Sequence, residues 1–282
     1  MRTAERGFMQ VRRILGGIVA ALLLTTAAVR AQPPAGQKPY EPVVGQEGKD
    51  AVWVPTSLSM VERMLDHAKV TPQDFVMDLG SGDGRTIIAA AKRGASGLGV
   101  EFNPELVEYS RRQAQAQGVE DKAKFVQGDM YEADISKATV LALFLLPSNL
   151  EKLAPKFLQL PPGTRIVANT FWVSDWTPDD SVTVQEGCEN WCTSHLFIIP
   201  AQVAGKWRVP EGVLTITQRY QMVEGTFTPN SGTPVEVKGR LRGNVITLTL
   251  GQNEYSGTVA GNRIEGAAKS TPNARIVATR IE

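Results

Sequence analysis

Three glycines and three acids carry the chemistry that can be read from this chain. Gly80, Gly82 and Gly84 stand at alternate positions directly after Asp78-Leu79. Such a turn lets a ligand lie against bare backbone at a helix N-terminus. Glu101 and Asp129 close the next two apolar runs, where a ribose diol and a base edge would lie in a nucleotide-type crevice. The spacing argues about the ligand. Dinucleotide turns follow G-x-G-x-x-G, and their third glycine sits one place later than Gly84. Asp78 and Asp83 would repel a phosphate and suit a cationic ligand.

The elements that must position these residues follow from periodicity. Phe75 to Leu79 is an apolar run, and Thr86 to Lys92 is alanine-rich. Together with the glycines they read as strand, tight turn and helix, the first unit of a doubly wound α/β domain. Upstream, Met60, Val61, Met64 and Leu65 recur at helical spacing, with Ser57 or Thr56 as cap. Strands are expected at 97–101, 124–127, 139–145 and 165–169. A helix capped by Asn103 with Pro104 in its first turn runs to Gly118, and another follows Pro147 to about Leu160. That order implies a mostly parallel sheet. Residues 183–185 and 196–199 are expected to form an antiparallel pair. After Pro200 the helix signals stop, and short alternating strands separated by Gly-Asn turns predict an antiparallel meander or small barrel.

Composition bounds the class. The chain has 282 residues, 42% hydrophobic and 21% charged, which is ordinary for a globular protein of one medium and one smaller domain. Arg12-Arg13, the apolar run from Ile14 to Val29 and Ala28-Val29-Arg30-Ala31 have the pattern of a secretory signal peptide. Export to the periplasm or the medium is therefore expected; an uncleaved membrane anchor is the alternative. Removing residues 1–31 takes five of the 30 basic and one of the 29 acidic side chains, leaving 25 and 28. That balance gives no footprint for nucleic acid. The expected divisions are a signal peptide at 1–31, a flexible leader or wrap-around arm at 32–51, an α/β domain at 52–202 and an all-β domain at 205–282.

Asp78-Leu79-Gly80-Ser81-Gly82-Asp83-Gly84, with Glu101 and Gly128-Asp129, resembles the class I S-adenosylmethionine-dependent methyltransferases. Val54-Pro55-Thr56, Leu145-Leu146-Pro147 and Pro162-Gly163-Thr164-Arg165 are similar to one branch, the small bacterial relatives of mitochondrial lysine methyltransferases that act on the ATP synthase c subunit or the adenine nucleotide translocase. The resemblance spans about Val52 to Pro200. It implies a seven-stranded Rossmann-like sheet with its last strand antiparallel, and S-adenosylmethionine as cofactor. By the same resemblance, Asp78, Gly80, Ser81 and Gly82 surround the methionine part. Glu101 holds the ribose, and Asp129 takes the adenine amino group between Phe102 and Met130. Pro147 and Asn149 face the methyl group. Asn169, Phe171, Trp172 and Trp176 line the acceptor side, with Asn149, Asn169 and Trp172 as the candidate catalytic residues. The acceptor is expected to be a protein lysine or a small molecule, reached by in-line displacement in an aromatic pocket.

Other readings stand beside this one. Cys188 and Cys192 with His195 could begin a zinc site, but an exported chain favours a loop disulfide, and no metal is expected. Trp172 and Trp176 are equally readable as packing residues, and Asn149 as a helix cap. A non-catalytic exported binding protein and a nicotinamide-dependent enzyme are the alternative functions.

Overall fold

A computed structural model describes residues 39–273 and 275–281. The expected signal peptide lies outside the described residues. Among those described, no helix is long and apolar enough to cross a membrane. The described residues from 40 onward form one compact unit.

The α/β part opens with α1 (Leu58–His67), whose first turn is capped by the Ser57 hydroxyl accepting from the Met60 N–H. Then follow β1 (Phe75–Leu79), α2 (Arg85–Lys92), β2 (Ser96–Glu101), α3 (Pro104–Ala116) and β3 (Ala123–Gln127). After them come β4 (Val140–Leu143), α4 (Pro147–Phe157), β5 (Arg165–Asn169), β6 (Asp180–Thr183) and β7 (Thr193–Ile198). The strands lie in the order β3-β2-β1-β4-β5-β7-β6. All pairs up to β5 are parallel, and β7 runs antiparallel to both neighbours. The expected seven-stranded Rossmann-like sheet is thus present. Its antiparallel pair begins about three residues earlier than the alternation suggested, because polar Asp180 and Ser181 face Leu196 and His195 in register.

Burial explains the layering. One core packs α1, α2 and α3 on one face of the sheet, with Met60, Leu65, Ile87 and Val107 among its members. A second packs α4 on the other face, through Leu150, Leu153 and Phe157 against Met77, Leu141 and Ile166. β1 and β4 are covered on both sides, so β4 is a continuous apolar run and β1 is apolar except for Asp78. α4 starts at Pro147 itself, in the first-turn position proline favours, and Leu146 occupies the cap position.

The C-terminal part is a closed barrel of eight antiparallel strands, β8 (Gly205–Val209) to β15 (Arg275–Arg280), each paired with the next and β15 paired back onto β8. One strand, β14 (Arg263–Ala268), falls where the alternation was too weak to read, because Gly266, Ala267 and Ala268 leave it few large side chains. Trp207, fully buried, fills the barrel with Leu241, Val223 and Ile264. The barrel also holds an apolar cavity of about 290 Å³ lined by Phe227, Leu250 and Ile276.

Candidate active site

The C-terminal ends of β1, β2 and the segment after β3 meet at one cavity of about 330 Å³. The chain turns sharply there because Gly80, Gly82 and Gly84 all adopt positive φ, at 74°, 55° and 80°. The close approach at Gly82 leaves no alternative residue. A Cβ on it would lie 2.3 Å from the Trp53 indole nitrogen. The Gly82 N–H donates to one Glu101 carboxylate oxygen at 2.9 Å, and the Asn103 N–H donates to the other at 2.9 Å. Glu101 is thereby fixed at the end of β2, where it lines the cavity. Asp129 accepts from the Tyr131 N–H at 2.9 Å and pairs with Lys49 at 2.6 Å. The Lys49 ammonium and the Tyr131 N–H hold its carboxyl below the usual range.

Asp78 is buried beneath the turn. Burial pushes its carboxyl up to about 8; a hydrogen bond from Thr86 opposes the rise, and the Glu101 and Asp83 charges add to it. A buried carboxyl beside two further acids is a place for a cationic partner. The Ser81 hydroxyl is also buried and lacks a hydrogen-bond partner among the described residues. The cavity wall itself carries Glu47, Asp50, Glu101 and Asp129 against a single ammonium, Lys49. This donor set fits S-adenosylmethionine, which presents hydroxyls, an adenine amino group and two positive centres.

Sequence-expected residues divide by position. Gly80, Glu101, Phe102, Asp129, Met130, Asn149 and Phe171 line the cavity. Ser81 and Gly82 belong to the turn and Asp78 to β1 before it, while Pro147, Asn169, Trp172 and Trp176 lie outside the lining. Pro147 opens α4, two residues before the buried Asn149. Asn169 ends β5, buried, with its side-chain carbonyl accepting from Thr170. Trp172 leans on His195 at 4.4 Å between ring centroids. Trp176 is buried against Phe197 and stacked on Tyr220 of the barrel, so its size serves packing between the two sheets. Cys188 and Cys192 are joined as a disulfide.

Phe144, Trp191, Trp53 and Lys49 are among the lining residues that the sequence did not mark as part of the site. Phe144 stacks on Phe171 at 6.1 Å and meets Trp191 at 5.8 Å, making an aromatic wall beside Leu145 and Leu146. Trp191 comes from the disulfide loop. Trp53 and Lys49 belong to a strap, 45–54, whose Gly45 and Trp53 N–H groups bond to the Trp53 and Gln46 carbonyls. Lys49 also sits over the Phe102 ring at 5.1 Å. Only the uncommon tryptophans signalled these positions in sequence. No group of His, Cys, Asp and Glu among the described residues could hold a metal ion.

Comparison with known proteins agrees with this geometry. Residues 78–180 match the ANTKMT methyltransferase domain. A protein-lysine N-methyltransferase of Saccharolobus islandicus is 42% identical over 150 residues, covering 52% of this chain and 92% of the relative. The lysine N-methyltransferase of the ATP synthase c subunit from Rattus norvegicus is 32% identical over 193 residues, covering 67% of this chain and 81% of the relative. Among solved structures, an RNA methyltransferase of Salinibacter ruber bound to S-adenosyl-L-homocysteine is 44% identical. It covers 53% of this chain and 96% of its own, with a TM-score of 0.50. The glycine turn, its three strand-end acids and these relatives together place the chain in the family of the ANTKMT methyltransferase domain, as an S-adenosylmethionine-dependent methyltransferase.

Proposed function

We propose that the protein transfers a methyl group from S-adenosylmethionine to a lysine amine of a protein. The observation that carries the reading is the aromatic wall of Phe144, Phe171 and Trp191 at one end of the cavity whose other end holds Glu101 and Asp129. The cofactor supplies a methyl group already activated on a sulfonium. The chain's own task is alignment and exclusion of water. Glu101 and Asp129 hold the adenosine, the Gly80–Gly84 turn and Asp78 hold the methionine part, and Asn149 lies beside the acceptor path. Aromatic surroundings disfavour an ammonium ion without a counter-charge, so the acceptor lysine gives up one proton to water before it attacks; its nitrogen then bonds the methyl carbon as the carbon–sulfur bond breaks, and the positive charge passes from sulfur to the methylated amine. The same rings then receive the methylated cation by cation–π contact.

The solved relative named as an RNA methyltransferase raises a second acceptor class. The four carboxylates around the cavity favour a cationic acceptor over a polyanion. Incubation with S-adenosylmethionine labelled in its methyl group tests this. Label is expected in the isolated ATP synthase c subunit or in poly-L-lysine, at lysine by mass spectrometry. Label in RNA alone would overturn the lysine assignment.

Export belongs to the same proposal. The signal-like pattern at residues 1–31 supports it, as does the bonded Cys188–Cys192 pair, since such bonds persist in oxidising compartments. A mature N-terminus near Gln32 in an envelope or medium fraction is the expected result. An intact Met1 or Met9 start in the cytoplasmic fraction would refute export.

A further inference from the structure

We propose that the Cys188–Cys192 loop is the acceptor-binding element of the enzyme: the disulfide acts by holding Trp191 against Phe144 to complete the aromatic wall. The inference rests on the methyl-transfer reading above and assigns the part of the chain that meets the substrate.

Three observations carry it. Trp191 adopts φ of 55°, the left-handed region, which a bulky residue seldom enters unless its surroundings force it. The force has a visible source. Residues 188–192 are closed into a ring by the disulfide, and the Cys192 carbonyl accepts from the Val184 N–H at 2.8 Å. On the other side the Gly187 carbonyl accepts from the Ser59 hydroxyl at the start of α1. The loop is therefore pinned at both ends, and the indole has one direction left. That direction brings it to 5.8 Å from the Phe144 ring and into the cavity lining, while the residue stays 43% exposed. An aromatic side chain that lines a cavity yet remains open to solvent can contact an arriving substrate.

The position separates the two ligands. Glu101, Phe102 and Asp129 stand on the β2 and β3 side of the cavity, whereas Phe144 follows β4 and Phe171 follows β5. Among the described residues, the ring contact of Trp191 is with Phe144, in the second group. Trp191 is consequently a residue for the acceptor and not for the cofactor, and Cys188 and Cys192 are positioning residues that act through it. Without the bond, Trp191 relaxes to negative φ and the indole swings off Phe144. A reductant does this by giving two electrons and two protons to the bond, yielding two cysteine thiols while two reductant thiols become a disulfide.

The test uses the full chain, tritiated S-adenosylmethionine and poly-L-lysine or the ATP synthase c subunit as acceptor. Trp191→Ala is expected to raise KM for the acceptor roughly tenfold, the scale of a lost cation–π contact, and to leave the Kd for S-adenosylhomocysteine within about twofold. Trp191→Phe should restore most of the loss. The double variant Cys188→Ser/Cys192→Ser should raise acceptor KM several-fold. Dithiothreitol should bring the wild type to the same value and leave the double variant unchanged. Melting temperatures of the variants near the wild-type value confirm folding. If the wild type is active and Trp191→Ala keeps its acceptor KM, or if both variants lose cofactor affinity in parallel, the inference fails while the methyl-transfer reading stands. A wild type that methylates no amine overturns both.

Discussion

Gly82 and Asp78 set opposite demands on the same turn. Ala at 82 meets two penalties: an α-carbon at φ of 55° and a Cβ that clashes with the Nε1 edge of the Trp53 indole. Gly118→Ala is the matched control, because Gly118 has φ of 67° and open space around its Cβ position. The control should lose about 1 kcal/mol of stability, as for any side chain forced into the left-handed region. Gly82→Ala should lose more, and should also weaken S-adenosylhomocysteine binding at least tenfold by displacing the strap; calorimetry and chemical denaturation separate the two effects. Asp78 works through its charge. Its folded carboxyl, at about 8, lies above the ordinary 3.8, so the native protein binds more protons than the unfolded chain between those values. Stability from this group is complete below about pH 4 and is lost as pH rises toward 8. Asp78→Asn removes that slope. The cofactor-free variant should melt higher than wild type at pH 8, with the difference shrinking toward pH 5, while its affinity for S-adenosylhomocysteine falls at least tenfold. A residue that costs stability when no ligand is bound is a residue kept for the ligand.

Among the elements, the strand ends opposite the site are tied as firmly as the site ends are open. Asp74, immediately before β1, accepts from the Thr71 N–H at 2.8 Å and the Thr139 hydroxyl at 2.7 Å, and pairs with Arg165 at the start of β5. Burial alone would raise this carboxyl, but those donors and the Arg165 guanidinium outweigh it and hold it below its usual value. Asp74→Ala should cost roughly 3 kcal/mol, the low end of the range for broken buried pairs, because Arg165 keeps some water contact. Urea denaturation reads this directly, and cofactor affinity in the folded fraction should be unchanged. These elements also mark how far the sequence was legible. The β1–α2–β2–α3–β3 order follows from periodicity, glycines and caps, because each signal is local. Phe144 looked like one more member of a buried apolar run, but β4 ends at Leu143 and releases it into the cavity. Trp191 sits in a polar loop whose path depends on a covalent bond. Trp176 lies five residues past Phe171 and seemed to belong with it; its partner, Tyr220, is 44 residues further on, in a turn between two barrel strands. Contacts of that range have no local signature.

Over the whole molecule, that pairing makes the barrel part of the enzyme's fold. Tyr220 stacks on Trp176 at 4.8 Å, Gln221 bonds the Thr177 carbonyl, and Arg240 pairs with the nearly inaccessible Asp179 at 2.8 Å. All three partners lie on the segment joining β5 to β6, the segment that carries Phe171. Tyr220→Ala should therefore cost about 2 kcal/mol and lower the melting temperature of the methyltransferase part as well, in one cooperative transition. Two separate transitions in calorimetry would show that the barrel is independent. The barrel's manner of closure has a consequence in time. β15 pairs with β8, some 70 residues earlier, and Arg280 covers Trp207 at 4.4 Å while bonding the Gln202 and Ala204 carbonyls. Ring closure thus waits for the last strand, the slowest kind of contact to form. Until β15 arrives, β8 is an open edge beside Trp207, and a nascent chain is exposed to strand-exchange with a second copy.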